Sequence, residues 1–124
     1  MESPRFVIQE HRTVEGVHWD LMLEAGEVLA TFRLAERPEA VAGHPVEATR
    51  IFDHPLRFLT YEGPVQKGTG RVRIVDSGTY ESDDRGEDRW ALTLSGGILK
   101  GPFVLVRVQG DAWRFAAEEL ESQP

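Results

Sequence analysis

The segment Val17-His18-Trp19-Asp20-Leu21-Met22-Leu23-Glu24 carries the clearest chemical signal in the chain. Its alternation predicts a strand on which Trp19, Leu21 and Leu23 share one face, and His18, Asp20, Met22 and Glu24 share the other. A histidine and an aspartate two apart then project side by side, so a ring nitrogen and a carboxylate oxygen can converge on one cation. His11 closes an upstream strand, and a turn within Arg12–Gly16 would return it beside His18. Two imidazoles and one carboxylate leave positions on a metal for water or a phosphate oxygen, as a hydrolytic site requires. Spacing alone also accommodates a solvated strand face with no ligand.

A second cluster is Asp53-His54-Pro55-Leu56, followed by Phe58 and by Tyr61-Glu62-Gly63. An imidazole at position 54 can donate to a phosphoryl oxygen or supply a proton near neutral pH. Asp53 and Pro55 equally suit a plain turn. Arg71 and Arg73 share a face of a further predicted strand, as cationic lining of a pocket or as an ordinary solvent face. Gly68-Thr69-Gly70, just before them, reads as a turn, because no helix follows and no G-x-x-x-x-G-K-[ST] pattern is present. His44, in a Pro-containing loop, reads as a surface residue.

These side chains need strands to position them. Twelve Gly and seven Pro fall between short alternating segments rich in Val, Ile, Leu and Phe, the pattern of many strands joined by turns. The expected strands are Arg5–Gln9, Val17–Glu24, Val28–Leu34, Thr49–Phe52, Gly70–Asp76, Trp90–Ser95, Phe103–Val108 and Trp113–Ala116. Eight strands in a small chain favour a barrel or sandwich, because closure removes exposed edges. Ala35–Val46 reads as a loop with at most one helical turn, Ser82–Asp88 as an exposed hairpin loop, and Glu118–Ser122 as a short frayed helix or disordered tail.

At 124 residues, folding buries roughly two thirds of the unfolded chain's surface, so one domain over residues 1–124 is expected, with its core at about 5–117. The absence of cysteine excludes disulfide scaffolds, thiolate zinc sites and cysteine nucleophiles, and suits a reducing compartment. No apolar run approaches the ~20 residues of a membrane helix, and no signal peptide opens the chain, so a soluble cytoplasmic protein without membrane contact is expected. A net charge of −7 argues against broad duplex binding. A local site for one phosphate remains compatible with that charge, since screening confines its reach to ~8 Å at physiological salt.

Six co-linear motifs resemble the 3′-phosphoesterase domain of bacterial DNA ligase D. Phe6–His11 resembles the family's opening strand, which ends in a metal-ligand histidine. Val17–Glu24 resembles its L-H-Y-D-F-R-L-E strand. Asp53-His54-Pro55-Leu56 with Tyr61-Glu62-Gly63 is similar to E-D-H-P-L and F-E-G. Arg71–Glu81 is similar to V-I-V-W-D-x-G-T-[WY]-E, Leu99–Arg107 to L-K-G-x-[WF]-x-L-V-R, and Trp113 to the closing-strand tryptophan.

The resemblance implies an all-β, compact, roughly eight-stranded barrel with little helix, whose polar cavity holds Mn²⁺, or another divalent metal such as Zn²⁺, beside a phosphate site. It implies His11, His18 and Asp20 as metal ligands and His54 as the histidine on the scissile phosphate. The implied reaction trims a 3′-terminal ribonucleotide or 3′-phosphate from primer–template DNA, leaving a 3′-hydroxyl for a polymerase or ligase. Met22 and Phe58 replace a family arginine and tyrosine, and a second family arginine falls near Val46. The loop from His11 to His18 is one residue longer, and the Gly-rich segment before Arg71 is shorter. Arg50, Arg71 and Arg73 are the candidate replacement charges. The departures predict that arginine at 22 and tyrosine at 58 would restore activity. They keep open a weakly active or inactive module that binds metal and a nucleic-acid end, or a partner in a repair complex.

Overall fold

The computed structural model describes residues 3–65 and 70–121. The expected turn at Gly68-Thr69 and tail residues 122–124 therefore lie outside the described residues. Among the described residues, nine strands follow one another: β1 (Arg5–Thr13), β2 (Gly16–Ala25), β3 (Val28–Leu34), β4 (Val46–Pro55), β5 (Gly63–Val65), β6 (Gly70–Arg85), β7 (Arg89–Gly96), β8 (Lys100–Gln109) and β9 (Ala112–Ala117). Among the described residues, helix is confined to the turn α1 (Glu118–Glu121) and to 3-10 turns at Pro38–Ala42 and Leu56–Leu59. No helix among the described residues is long and apolar enough to cross a membrane.

The strands pair in the order β1-β2-β3-β4-β9-β8-β7-β6, and β6 pairs back with β1, which closes an eight-stranded antiparallel barrel. β5 is a short addition to β6. Two of the expected loops prove shorter. β1 and β2 extend to Thr13 and from Gly16, so only Val14-Glu15 turn between them. β6 runs on to Arg85 through an irregularity between Ser82 and Asp84. A strand there can carry charge because Glu81, Asp83 and Arg85 are exposed, and the bulge absorbs the surplus residue.

Alternation sends one side chain in two into the barrel. Phe6, Ile8, Leu21, Leu23, Phe32, Leu34, Trp90, Leu92, Leu105, Trp113 and Phe115 fill it, all at most 5% exposed. Phe32 meets Trp90 and Trp113 edge to face at centroid distances of 5.3 and 5.2 Å. The opposite face of β1–β3 carries a smaller apolar cluster of Val7, Met22 and Leu29, capped by Leu59 from the second 3-10 turn. The barrel interior is thus filled mainly by apolar side chains, and the polar cleft lies on the outer face of β1–β4, beneath the segment from Leu56 to Val65.

Asp76, in the D-x-G-T-like stretch, is buried and works on the backbone. Its Oδ1 accepts from the N–H groups of Ser77, Gly97 and Ile98 at 2.8–3.1 Å, and its Oδ2 from Leu99 at 2.8 Å. Gly96 lets this carboxylate in close, since a Cβ there would sit 2.8 Å from Oδ2. Asp76→Ala is expected to lower stability by about 2–3 kcal/mol, because four backbone N–H groups, that of Leu99 buried, lose their acceptor together. Urea denaturation reads the loss, and Mn²⁺ affinity, measured alongside, should stay within about twofold.

Candidate functional site

The site is a product of register. The two-residue turn after Thr13 sets His11 directly opposite His18, and Gln9 opposite Asp20. The next hairpin turns at Gly26-Glu27, where Gly26 has φ +67°, and sets Asp20 opposite Arg33 and Met22 opposite Thr31. The outer face therefore carries three rows: Val7–Met22–Thr31, Gln9–Asp20–Arg33 and His11–His18. Polarity rises from the first row to the last.

His54 joins them through an irregularity. β3 and β4 pair Thr31 with Ile51 but Leu29 with His54, so β4 carries one extra residue between those pairs. Strict alternation from Val46 and Ala48 would turn His54 toward the barrel interior. The bulge re-aims it into the cleft.

His11 Nδ1 and His18 Nε2 share a hydrogen bond at 2.9 Å, and His18 Nε2 lies 3.7 Å from Asp20 Oδ2. One ligand atom from each of His11, His18 and Asp20 falls within 4.8 Å of the others. Donors bonded to one first-row cation at about 2.0–2.2 Å have similar spacing, so the set fits a divalent metal after rotamer-scale adjustment. His11 is 8% exposed, and its Nε2 is buried with no partner among the described residues. Gly70 makes room for that ring, because a Cβ there would approach His11 Nε2 to 2.6 Å and the Arg12 carbonyl to 2.9 Å.

Burial pushes His11, His18 and His54 below the usual histidine value, and Asp20 opposes that shift while Arg33 adds to it. The shift favours the neutral rings, the state that metal ligation needs. Asp20 Oδ1 accepts from Arg33 Nε at 3.2 Å. Thr31 Oγ1 donates to the Leu29 carbonyl at 3.0 Å, which leaves it to accept from His54 Nδ1 at 2.9 Å. His54 Nδ1 also reaches the Phe52 carbonyl at 3.1 Å. A carbonyl only accepts, so the proton sits on Nδ1 and the lone pair on Nε2. Gln9 donates both amide hydrogens, to the carbonyls of Phe58 and Tyr61 at 2.9 Å each, and so ties the covering segment down over the site.

His11, His18, Asp20, Arg33 and His54 line one cleft of about 820 Å³ with Phe52, Phe58 and Tyr61. The three arginines expected from sequence lie elsewhere. Arg50 alternates with Ala48 onto the interior face, its guanidinium 5.3 and 5.0 Å from the ring centres of Phe32 and Trp90. Arg71 and Arg73 alternate away from Val72, beside Glu10 in a separate recess, with Arg73 donating to Glu10 at 3.2 Å. Arg33 and Gln9 were missed by the sequence reading. The signal for Arg33 was the tight β2–β3 turn, since five residues back from Ala25 and five on from Val28 meet at Asp20 and Arg33.

A family model described as the DNA Ligase D 3′-phosphoesterase domain matches residues 9–107, which include every residue of this cleft. The chain belongs to that family. It is 35% identical to the "Multifunctional non-homologous end joining DNA repair protein LigD" of Mycobacterium tuberculosis H37Rv over 95% of its length. It is 32% identical over 90% of its length to the "Multifunctional non-homologous end joining protein LigD" of Mycolicibacterium smegmatis. In each case it spans 16% of the relative.

Against the phosphoesterase-domain pattern, the two departures differ in kind. Phe58 stands beside His54, ring centres 5.6 Å apart, and lacks only the hydroxyl of a tyrosine. Met22 is 1% exposed and packs on Val7, Leu29 and Leu59. An arginine there would bury its charge in an apolar cluster, so a cost in stability stands against the expected gain in activity. Met22→Arg is expected to destabilise the chain by about 2–4 kcal/mol with no gain in rate, read by thermal melting alongside an end-processing assay.

Proposed function

We propose that the chain is a metal-dependent phosphoesterase of DNA repair that removes a 3′-terminal ribonucleotide or a 3′-phosphate from a primer strand and leaves a 3′-hydroxyl. The observation that carries this reading is the convergence of His11, His18 and Asp20 with His54 and Arg33 in one cleft. Family membership supports the phosphoester chemistry, and the names of the mycobacterial relatives support the repair setting. A primer–template end is the substrate in this reading, a ligase or polymerase the consumer of the product, and the cytoplasm the setting.

A divalent cation held by His11, His18 and Asp20, Mn²⁺ or Zn²⁺ by the nitrogen and oxygen donors on offer, would polarise a phosphoryl oxygen and lower the pKa of a bound water. The remaining work falls to side chains. Arg33 is anchored to Asp20 through Nε, and its two terminal nitrogens have no partner among the described residues. They supply charge-assisted donors to phosphate from a strand next to the one where the family motif carries arginine. His54, held through Nδ1, presents Nε2 to the substrate. An anionic phosphoryl group beside it favours the protonated ring, which can donate to phosphate and give its proton to the departing 3′-oxygen.

The test is a primer–template with either a 3′-phosphate or a 3′-ribonucleotide, incubated with the chain and Mn²⁺ and read by gel mobility. Metal-dependent conversion to the 3′-hydroxyl product is expected. No conversion of either end by stoichiometric protein, with Mn²⁺ or Zn²⁺, would leave only a binding module.

A further inference from the structure

Phe52 is a large apolar side chain that the fold leaves 70% exposed, on the wall of the cleft rather than in either apolar cluster. Its ring lies parallel to that of His54, with centroids 4.7 Å apart and planes 15° apart. One face is held against the histidine, and its exposure leaves the other open to solvent. Phe58 and Tyr61 continue the aromatic wall, with the Arg57 guanidinium 4.7 Å from the ring centre of Phe58 and 5.9 Å from that of Tyr61. The E-D-H-P-L motif carries glutamate where this chain has Phe52, so an anion that would repel a phosphate strand is replaced by a ring. A chain of net charge −7 gains little from long-range attraction to a polyanion. Stacking on an aromatic face is a contact that salt does not screen and that any base can make.

We propose that Phe52 is a stacking platform for the nucleobase of an unpaired 3′-terminal nucleotide, so that the cleft selects frayed or single-stranded ends. The proposal rests on the 3′-end reading above. His54 and the platform are neighbours, so a base on Phe52 sets its own sugar and 3′-phosphate beside the imidazole. A paired terminal base keeps only its outer face free and is tied to its complement, so it reaches the ring only if the end frays or the whole duplex end abuts Phe52.

The experiment uses the full chain with Mn²⁺ and an oligonucleotide ending in 2-aminopurine with a 3′-hydroxyl, either unpaired or paired to a complement. Wild type is expected to quench the unpaired terminal base, to leave the emission of the paired one, already lowered by stacking in the duplex, unchanged, and to bind an abasic-ended oligonucleotide roughly tenfold more weakly. Phe52→Ala and Phe52→Leu should lose the quenching and the preference over the abasic end. Phe52→Trp should keep both. Leucine preserves an apolar cover on His54 without a stacking face, so wild-type quenching by Phe52→Leu overturns the proposal. Equal binding of abasic and base-bearing ends by wild type overturns it as well. Phosphate release from the 3′-phosphorylated oligonucleotide is followed in parallel. Absence of release with quenching intact defeats the 3′-end reading and spares the platform, while release with quenching unchanged in Phe52→Ala does the reverse.

Discussion

Asp20→Ala is expected to weaken Mn²⁺ binding by at least a hundredfold and to reduce 3′-end processing by more than a thousandfold, with the fold intact. The residue is 4% exposed, supplies the only carboxylate of the candidate metal set, and holds Arg33 by its other oxygen. One substitution therefore removes a charged ligand and releases the guanidinium proposed to meet phosphate. Loss of a phosphate donor alone costs ~10²–10³ in rate where it stabilises transition-state charge, and the missing ligand adds to that. Arg33 remains partly exposed, so water can solvate it, and the melting temperature should fall by only a few degrees. Calorimetric titration with Mn²⁺ and the gel assay read the two effects separately. Wild-type Mn²⁺ affinity in Asp20→Ala would reduce Asp20 to an anchor for Arg33.

The second large effect is expected at His54, where chemistry and metal binding come apart. His54→Ala should lower processing by ~10²–10³ while leaving Mn²⁺ affinity within a few-fold, because its contacts run to Thr31 and Phe52 and not to the metal set. His54→Gln offers an amide at a similar reach and should recover phosphate binding without restoring proton transfer. A turn-only role predicts another result: unchanged processing and a stability change within about half a kcal/mol, as for ordinary surface positions. Unaltered trimming by His54→Ala would falsify its assignment to the substrate.

Much of this site was legible because strand geometry is simple. Alternation alone put His18 and Asp20 on one face, whereas a turn within Arg12–Gly16 only allowed His11 to return beside them, and the two-residue turn that brings it there is visible in the structure. The count and spacing of strand segments left barrel and sandwich open, and the motif resemblance chose the barrel, with β5 too short to register. The rest depended on relations between strands. Arg33 could be found only by carrying the β2–β3 register across the turn at Gly26, and Arg50, Arg71 and Arg73 were near in sequence but sit on the wrong faces. His54 faces the cleft only because of a bulge, which alternation cannot foresee. The 3-10 turn at Leu56–Leu59 has no periodicity to detect, yet it covers Met22 and helps form the cleft wall, and so decides why arginine at 22 cannot simply be restored.

A crystal of the chain soaked with Mn²⁺ and sulfate tests the central claim most directly, since anomalous scattering marks the metal and sulfate stands in for the phosphoryl group. One peak is expected within about 2.0–2.3 Å of ring nitrogens of His11 and His18 and of a carboxylate oxygen of Asp20, with sulfate in reach of Arg33 and His54. A cleft without a peak under saturating Mn²⁺, or a metal held by other side chains, would contradict it.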